Sequence, residues 1–352
     1  LKQTYVMNTL APQFRLYKRV SSRLASSVIF SNYFSYGPAK VHSSASVHPN
    51  AVIGEGVTIA EYCTLGENVK VGNGCQLRPG SHVFGNTQLG DGCVLMTGAV
   101  VGDELPGSTV IGRNNVFGHH SVIGVKCQDL KYKEGDECFL RIGDGNEIRE
   151  FCSIHRSANS KDVTIIGNNN LIMGCCHIAH DCSIGNNNII ANSTILAGHV
   201  HIGDFVHTAG AVVVHQFCRI GSYSFVGGGS VVSQDVPTYM MVSGERAELR
   251  GLNLEGLRRC GFSAAEVAGL KAAYRKLFLA ASTSMPFEQR LDHVASFTIF
   301  IGYKNRENTI YLQEKNMDLE NAPCVVALLQ SIRHSFVENG RGICKFRSFN
   351  TV

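Results

Sequence analysis

An aliphatic residue recurs at every sixth position from Val41 to Val101 without a miss, through Val47, Ile53, Ile59, Leu65, Val71, Leu77, Val83, Leu89 and Leu95. Neither the 3.6-residue period of a helix nor the 2-residue period of a strand gives this spacing. After four extra residues around Glu104-Leu105-Pro106-Gly107 the phase resumes at Ile111, Phe117 and Ile123, and after a long loop at Ile142, Ile148 and Ile154. A second loop precedes an unbroken array from Ile166 to Val232, in which Thr208 alone is not aliphatic. Glycine often follows the aliphatic residue, as at Gly54, Gly72 and Gly221, and asparagines crowd the next places, as in Gly167-Asn-Asn-Asn and Gly185-Asn-Asn-Asn. These residues suit corners that need positive φ. A strand this short, ended by a corner, buries too little alone and is stable only when stacked on copies of itself. The pattern therefore predicts one parallel β-helix over residues 41–237, where the length of 352 residues would suggest several globular domains.

Composition changes the picture at the N-terminus. The formal charge is +4, but six bases (Lys2, Arg15, Lys18, Arg19, Arg23 and Lys40) precede the first acid, Glu55, so the rest carries −2. That excludes a body built to bind polyanions, and no nucleic-acid partner is expected. The segment from Met7 is rich in Arg and Ser and poor in acids, the composition of an organelle transit peptide, which residues 1–40 are expected to be. A mitochondrial address is expected, with the plastid as the alternative. No apolar run approaches the roughly 18 to 20 residues of a membrane-spanning helix, so none is expected. The 13 cysteines show no secretory leader and no zinc-type CxxC pair, which argues for reduced thiols.

The hexads resemble those of the hexapeptide acyltransferases, whose left-handed β-helix takes three hexads per triangular coil. The resemblance implies that handedness, against the usual right-handed crossover. The array then makes roughly ten coils at about 4.8 Å each. Cys63, Cys75, Cys93, Cys152, Cys176, Cys182 and Cys218 share the fifth place of a hexad, where a small buried side chain is wanted, so packing is their expected role. Histidines gather in the later coils at 177, 180, 199, 201, 207 and 215. Residues 18 apart stack, which sets Asp181 against His199 with His180 beside it. An aspartate next to an imidazole favours the protonated ring and fixes its tautomer, as a general base requires. Three such histidines are also the raw material of a zinc site, as in a γ-class carbonic anhydrase.

His177-Ile-Ala-His-Asp-Cys182, Ala197-Gly-His-Val200, Val214-His-Gln-Phe217, Gln128-Asp-Leu-Lys-Tyr132 and Asn253-Leu-Glu-Gly-Leu-Arg-Arg259 occur together. Over about residues 42–280 the chain closely resembles the UDP-N-acetylglucosamine O-acyltransferases of lipid A biosynthesis. That resemblance implies transfer of an (R)-3-hydroxyacyl group from acyl carrier protein to the sugar 3-hydroxyl. It implies a homotrimer with sites between subunits, and neither a metal nor a dissociable cofactor, the acyl chain arriving on phosphopantetheine. It assigns His180 as general base, Asp181 as its orienting partner and the Gly198 N–H as oxyanion donor. It assigns Asp129, Lys131, Met173, His177, His199, Gly210, His215 and Gln216 to the substrate cleft, Gly228 to the limit on acyl length, and Asn253, Glu255 and Arg259 to the uridine and phosphate end. Cys260 departs from the family, whose bacterial members commonly carry a second arginine there.

Beyond Pro237 the hexads stop. Ser263 with Glu266 three residues later predicts a capped helix, on which Lys271 and Arg275 offer a basic face to an acidic carrier protein. A second helix is expected over 322–337, and residues 296–318 read as strand or loop, an insertion without counterpart in the family. Three other readings compete: the N-acyltransferase later in the same pathway, disfavoured by the Gln128–Tyr132 loop; the carbonic-anhydrase-like protein; and an idle β-helix subunit of an organellar complex, disfavoured by the intact His180-Asp181 and Gly198-His199.

Overall fold

The computed structural model of the chain describes residues 37–104, 106–279, 285–302, 322–337 and 340–345. The expected transit peptide, but for its last residues, and most of the expected insertion, 303–318, lie outside them. Two compact units form, one of Ser35–Arg250 with His334–Lys345, the other containing Gly251–Arg333.

The first unit is a parallel β-helix. Among the described residues its strands fall into three sheets of 12, 10 and 9. Through the hexads, consecutive strands enter successive sheets, and each pairs with the strand three further on. Lys40 thus lies beside Thr58 and Val41 beside Ile59, 18 residues apart, the separation the hexads require. The aliphatic phase points inward: Ile59, Leu65, Leu77, Leu95, Ile123, Ile148 and Ile178 are buried. Val41 is exposed because no described coil lies beneath it. All seven cysteines of the fifth place are buried. Thr208 is buried too, and its hydroxyl accepts from the Ala191 N–H at 3.1 Å and meets the Thr194 hydroxyl at 3.1 Å, so the one polar residue in the phase is satisfied internally.

Asparagine holds one column of corners. Asn146 accepts the Asn170 N–H at 2.9 Å and donates to the Gly167 carbonyl at 2.9 Å. A side-chain amide has the donor and acceptor needed to satisfy both backbone groups that a turn strips of partners. The strands outlast the hexads. Met240–Ser243 pairs with Phe225–Val226, and Glu248–Leu252 follows in the same sheet. The β-structure therefore reaches Leu252 and not 237, since ladder bonds need only backbone and no aliphatic period. Ile343 bridges to Asp235, which binds the segment 340–345 to this unit.

Beyond the strands come four α-helices among the described residues, α1 (Leu254–Arg259), α2 (Ala264–Tyr274), α3 (Phe287–Gly302) and α4 (Ala322–His334), with a π-helical turn, Arg275–Leu279, following α2. The capping box of Ser263 and Glu266 is present at the start of α2. Residues 296–302, expected as strand or loop, are the last turns of α3; their β-branched and aromatic residues misled a propensity reading that ignored the helix already under way from Phe287. No helix among the described residues is long and apolar enough to cross a membrane.

Candidate active site

The first long loop between hexads expels residues 126–137 between strands Val122–Val125 and Cys138–Ile142. This loop rises beside the corner that follows strands Ser153–His155, His177–Ile178, Ile195–Leu196 and Val213–Val214, which pair in that order. Stacking sets His180, Gly198 and Gln216 in one column of that corner and Asp181, His199 and Phe217 in the next. Together with the loop they enclose a cleft of about 470 Å³, lined by Asp129, Leu130, His180, Gly198 and Gln216 among others.

His180 is 5% exposed, and its Nδ1 lies 2.7 Å from Asp181 Oδ2. The Asp181 side chain is 2% exposed. It is held by long contacts from the Ala158 N–H at 3.3 and 3.4 Å, and its own N–H donates to Thr164 Oγ1 at 2.9 Å. Asp181 and His199 both sit at left-handed φ, +58° and +59°. Side chains rarely accept that conformation; here the corner imposes it and sets both residues beside His180. The hydrogen bond that the ring donates to Asp181, above all, raises the pKa of His180 despite burial. Asp129 Oδ2 approaches His180 Nε2 at 3.5 Å, and His199 Nε2 approaches Asp181 Oδ2 at 3.6 Å. The His199 ring stacks on Phe217 and meets His180 edge-on.

Gly198 has a steric reason to be glycine: an added Cβ would collide with Cε1 and Nε2 of His180. Its N–H makes no hydrogen bond among the described residues, leaving a donor beside the imidazole. His180, Asp181 and His199 also offer three possible metal-ligand atoms within 4.8 Å of one another. Two of these residues, His180 and Asp181, are already bonded to each other through Nδ1 and Oδ2.

The cleft gathers Asp129, His177, His180, Gly198 and Gln216. Lys131 stands two residues along the loop, where its N–H donates to Asp129 Oδ1 at 2.9 Å. His215 is exposed on the same corner. Met173, Gly210 and Gly228 are not brought here. They lie at the preceding corner of their coils, after strands Leu171–Ile172, His207–Thr208 and Phe225–Val226, and within one chain do not line the cleft. Asn253, Glu255 and Arg259 belong to the helical unit. There Asn253 caps α1, and Glu255 pairs with Arg258 at 2.8 Å and Arg259 at 2.7 Å. Arg258 in particular holds the Glu255 carboxyl well below the usual range. Cys260 is buried, so it does not replace the missing surface cation.

The second loop, through His155-Arg156-Ser157, is a candidate for function in the sequence, but the pattern assigns His155 no role; in the structure it lines the cleft. Burial pushes its pKa down to about 4, helped by His177 and His180. The clue was its place at the second break in the hexads. Its neighbour Arg156 is wholly buried and donates from Nε to Thr109 Oγ1 at 2.9 Å, an interior tie that no spacing foretold.

The comparisons with known proteins agree with this geometry. Residues 235–344 match the model described as UDP N-acetylglucosamine O-acyltransferase, domain 2, and residues 38–73 and 164–198 match bacterial transferase hexapeptide repeats. An Arabidopsis thaliana protein named "Probable acyl-[acyl-carrier-protein]--UDP-N-acetylglucosamine O-acyltransferase, mitochondrial" is 63% identical over 78% of this chain and 76% of its own length. A crystal structure of Arabidopsis UDP-N-acetylglucosamine acyltransferase is 64% identical, with TM-score 0.80 over 87% of this chain and all of that one. LpxA from Acinetobacter baumannii is 37% identical, with TM-score 0.66 over 87% of this chain and 99% of its own. With its three-sheet parallel β-helix and its His180-Asp181 cleft, the chain belongs to the UDP-N-acetylglucosamine O-acyltransferase family.

Proposed function

We propose that this protein transfers a 3-hydroxyacyl group from acyl carrier protein to the 3-hydroxyl of UDP-N-acetylglucosamine, in mitochondria, as a homotrimer of left-handed coils that needs no metal or cofactor. One observation carries the reading: His180 is clamped through Nδ1 by Asp181 and packs against Gly198, whose N–H is unspent among the described residues, in a chain 63% identical to an enzyme bearing that name.

A hydroxyl attacks a thioester poorly near neutrality, so its proton must leave as the new bond forms. Asp181 accepts from Nδ1, which leaves the Nε2 lone pair of neutral His180 to take that proton. Negative charge develops on the thioester oxygen, and the Gly198 N–H supplies a preorganised donor for it. When the tetrahedral species collapses, the thiolate of the carrier departs and His180 returns the proton to sulfur. Asp129, now 3.5 Å from Nε2, stands where the sugar hydroxyl would bind and must give way or share.

The trimer reading rests on the separation of the two corners. Met173, Gly210 and Gly228 complete an acyl groove only if a neighbouring copy presents its own corner to this cleft, because a single coil wall is too flat to enclose a chain. The localisation rests on the basic N-terminus and the mitochondrial name of the Arabidopsis relative. Incubation with UDP-N-acetylglucosamine and 3-hydroxyacyl carrier protein is expected to give the 3-O-acyl sugar nucleotide, unaffected by chelator. Unchanged turnover in His180→Ala would remove the proposed base, and stoichiometric zinc with hydration of carbon dioxide would replace the whole reading.

A further inference from the structure

Ser153 is adjacent to the cleft but has no role in the reaction as derived so far. It is the ladder partner of His177, one coil below, so the two side chains stand side by side on one face of the sheet. Its Oγ lies 2.6 Å from His177 Nδ1, one of the shortest side-chain contacts around the cleft.

We infer that Ser153 is a positioning residue that fixes His177 as a neutral Nε2–H donor, aimed at an uncharged oxygen of the bound substrate. The inference deepens the acyl-transfer reading and rests on it for the identity of that substrate.

The direction of the hydrogen bond follows from counting donors. A serine hydroxyl has one hydrogen, and among the described residues its only side-chain contact is His177 Nδ1. If Nδ1 were the donor, the serine hydrogen would have no acceptor among the described residues. With the serine donating, both groups are satisfied. Nδ1 is then the acceptor, and a neutral ring that accepts at one nitrogen carries its proton on the other. The ring is neutral because burial, chiefly, lowers its pKa, and the neighbouring His180 adds to that shift.

Neutrality also serves the base. His180 becomes cationic as it takes the hydroxyl proton, and a second cation on the adjacent ring would oppose that step. His155 completes the arrangement. Its ring meets His177 edge-on with centroids 4.8 Å apart, and its own lowered pKa keeps it from supplying charge there. His177 is thus wedged between a hydroxyl that sets its tautomer and a neutral ring that restrains its rotation. A neutral N–H so held suits a sugar hydroxyl or an acyl carbonyl better than a phosphate, which would favour a cation.

Nitrogen-15 labelling of the histidines tests this in the full-length protein. The wild type is expected to show His177 with a proton on Nε2 and a bare Nδ1. Ser153→Ala is expected to mix the tautomers and to raise KM roughly 5- to 10-fold, the loss of about one hydrogen bond, for the substrate whose oxygen His177 meets. Measuring KM for the sugar nucleotide and for the acyl carrier protein separately tells which one that is. Ser153→Thr keeps the hydroxyl and is expected to restore both spectrum and KM. The inference fails if Ser153→Ala leaves the Nε2–H spectrum intact, if both KM values stay put, or if Ser153→Thr behaves like the alanine variant. A wild-type protein without acyl transfer would sink the reaction instead, and the tautomer spectrum would still decide the role of Ser153.

Discussion

In Gly198→Ala the new methyl would fall on Cε1 and Nε2 of His180. The imidazole has nowhere to retreat: it is 5% exposed, tied at 2.7 Å to Asp181 on one side and faced by Asp129 at 3.5 Å on the other. Relief requires the ring to turn away, which breaks the charge-assisted bond, worth about 1.5–3 kcal/mol; the overpacking itself costs about 1–3 kcal/mol if the ring stays. Either way the base is misaligned. General-base catalysis contributes roughly 10²- to 10⁴-fold, so kcat/KM should fall by about that factor, some 3–5 kcal/mol of barrier. Initial rates with labelled UDP-N-acetylglucosamine, read beside thermal unfolding, separate the two costs. A variant that keeps more than about a third of wild-type kcat/KM would refute the steric argument, since a loss below ~3-fold is under 1 kcal/mol.

Asp181→Asn removes the anion that raises the His180 pKa; the acid limb of the pH–rate profile should move to lower pH while the plateau falls by roughly 10²- to 10⁴-fold, and a limb that stays in place would exclude His180 as its source. The same pair should add stability below the ordinary histidine pKa of about 6.5 and lose it as pH rises through the raised value, visible as a smaller pH dependence of Tm in the asparagine variant. His155 has the opposite sign. Its pKa is lowered to about 4, so its contribution is present above about 6.5 and is lost as pH falls towards about 4, on the order of 2 kcal/mol after allowing for screening by cleft water; His155→Gln should flatten the acid side of the Tm profile, and an unchanged slope would contradict this. Thr208→Val leaves the Ala191 N–H without its acceptor in the core, which should cost about 1–3 kcal/mol in denaturant unfolding, whereas a variant as stable as the parent would mean that the restored aliphatic phase outweighs the lost bond.

Much of the fold is legible in one line of sequence because a solenoid is quasi-one-dimensional. Each hexad contacts copies of itself at a fixed offset, so the period that names the strands also fixes their register, and Asp181 over His199 follows from subtraction alone. The ends were less legible. Met240–Ser243 and Glu248–Leu252 pair through backbone bonds that leave no aliphatic period, and α3 runs through residues whose β-branched and aromatic character suggests a strand. Of the site, the His180-Asp181 pair stood in adjacent positions and could be read directly. His155 and Ser153 could not, because the second loop changes the offset between stacked partners from 18 residues to the 24 that join Ser153 to His177.

By itself, then, the sequence determined the repeating coil, its inward residues, its corners and the neighbouring columns that hold His180 and Asp181, since all of these depend on local period and on stacking at constant spacing. Tertiary structure alone decided what the interruptions do. The expelled loop brings Asp129 to 3.5 Å from His180, the left-handed turn at residue 181 aims a carboxylate at an imidazole, and the shifted register puts a serine hydroxyl against His177. A one-dimensional period carries no information about such contacts, because they depend on which side of the coil each excursion leaves and returns.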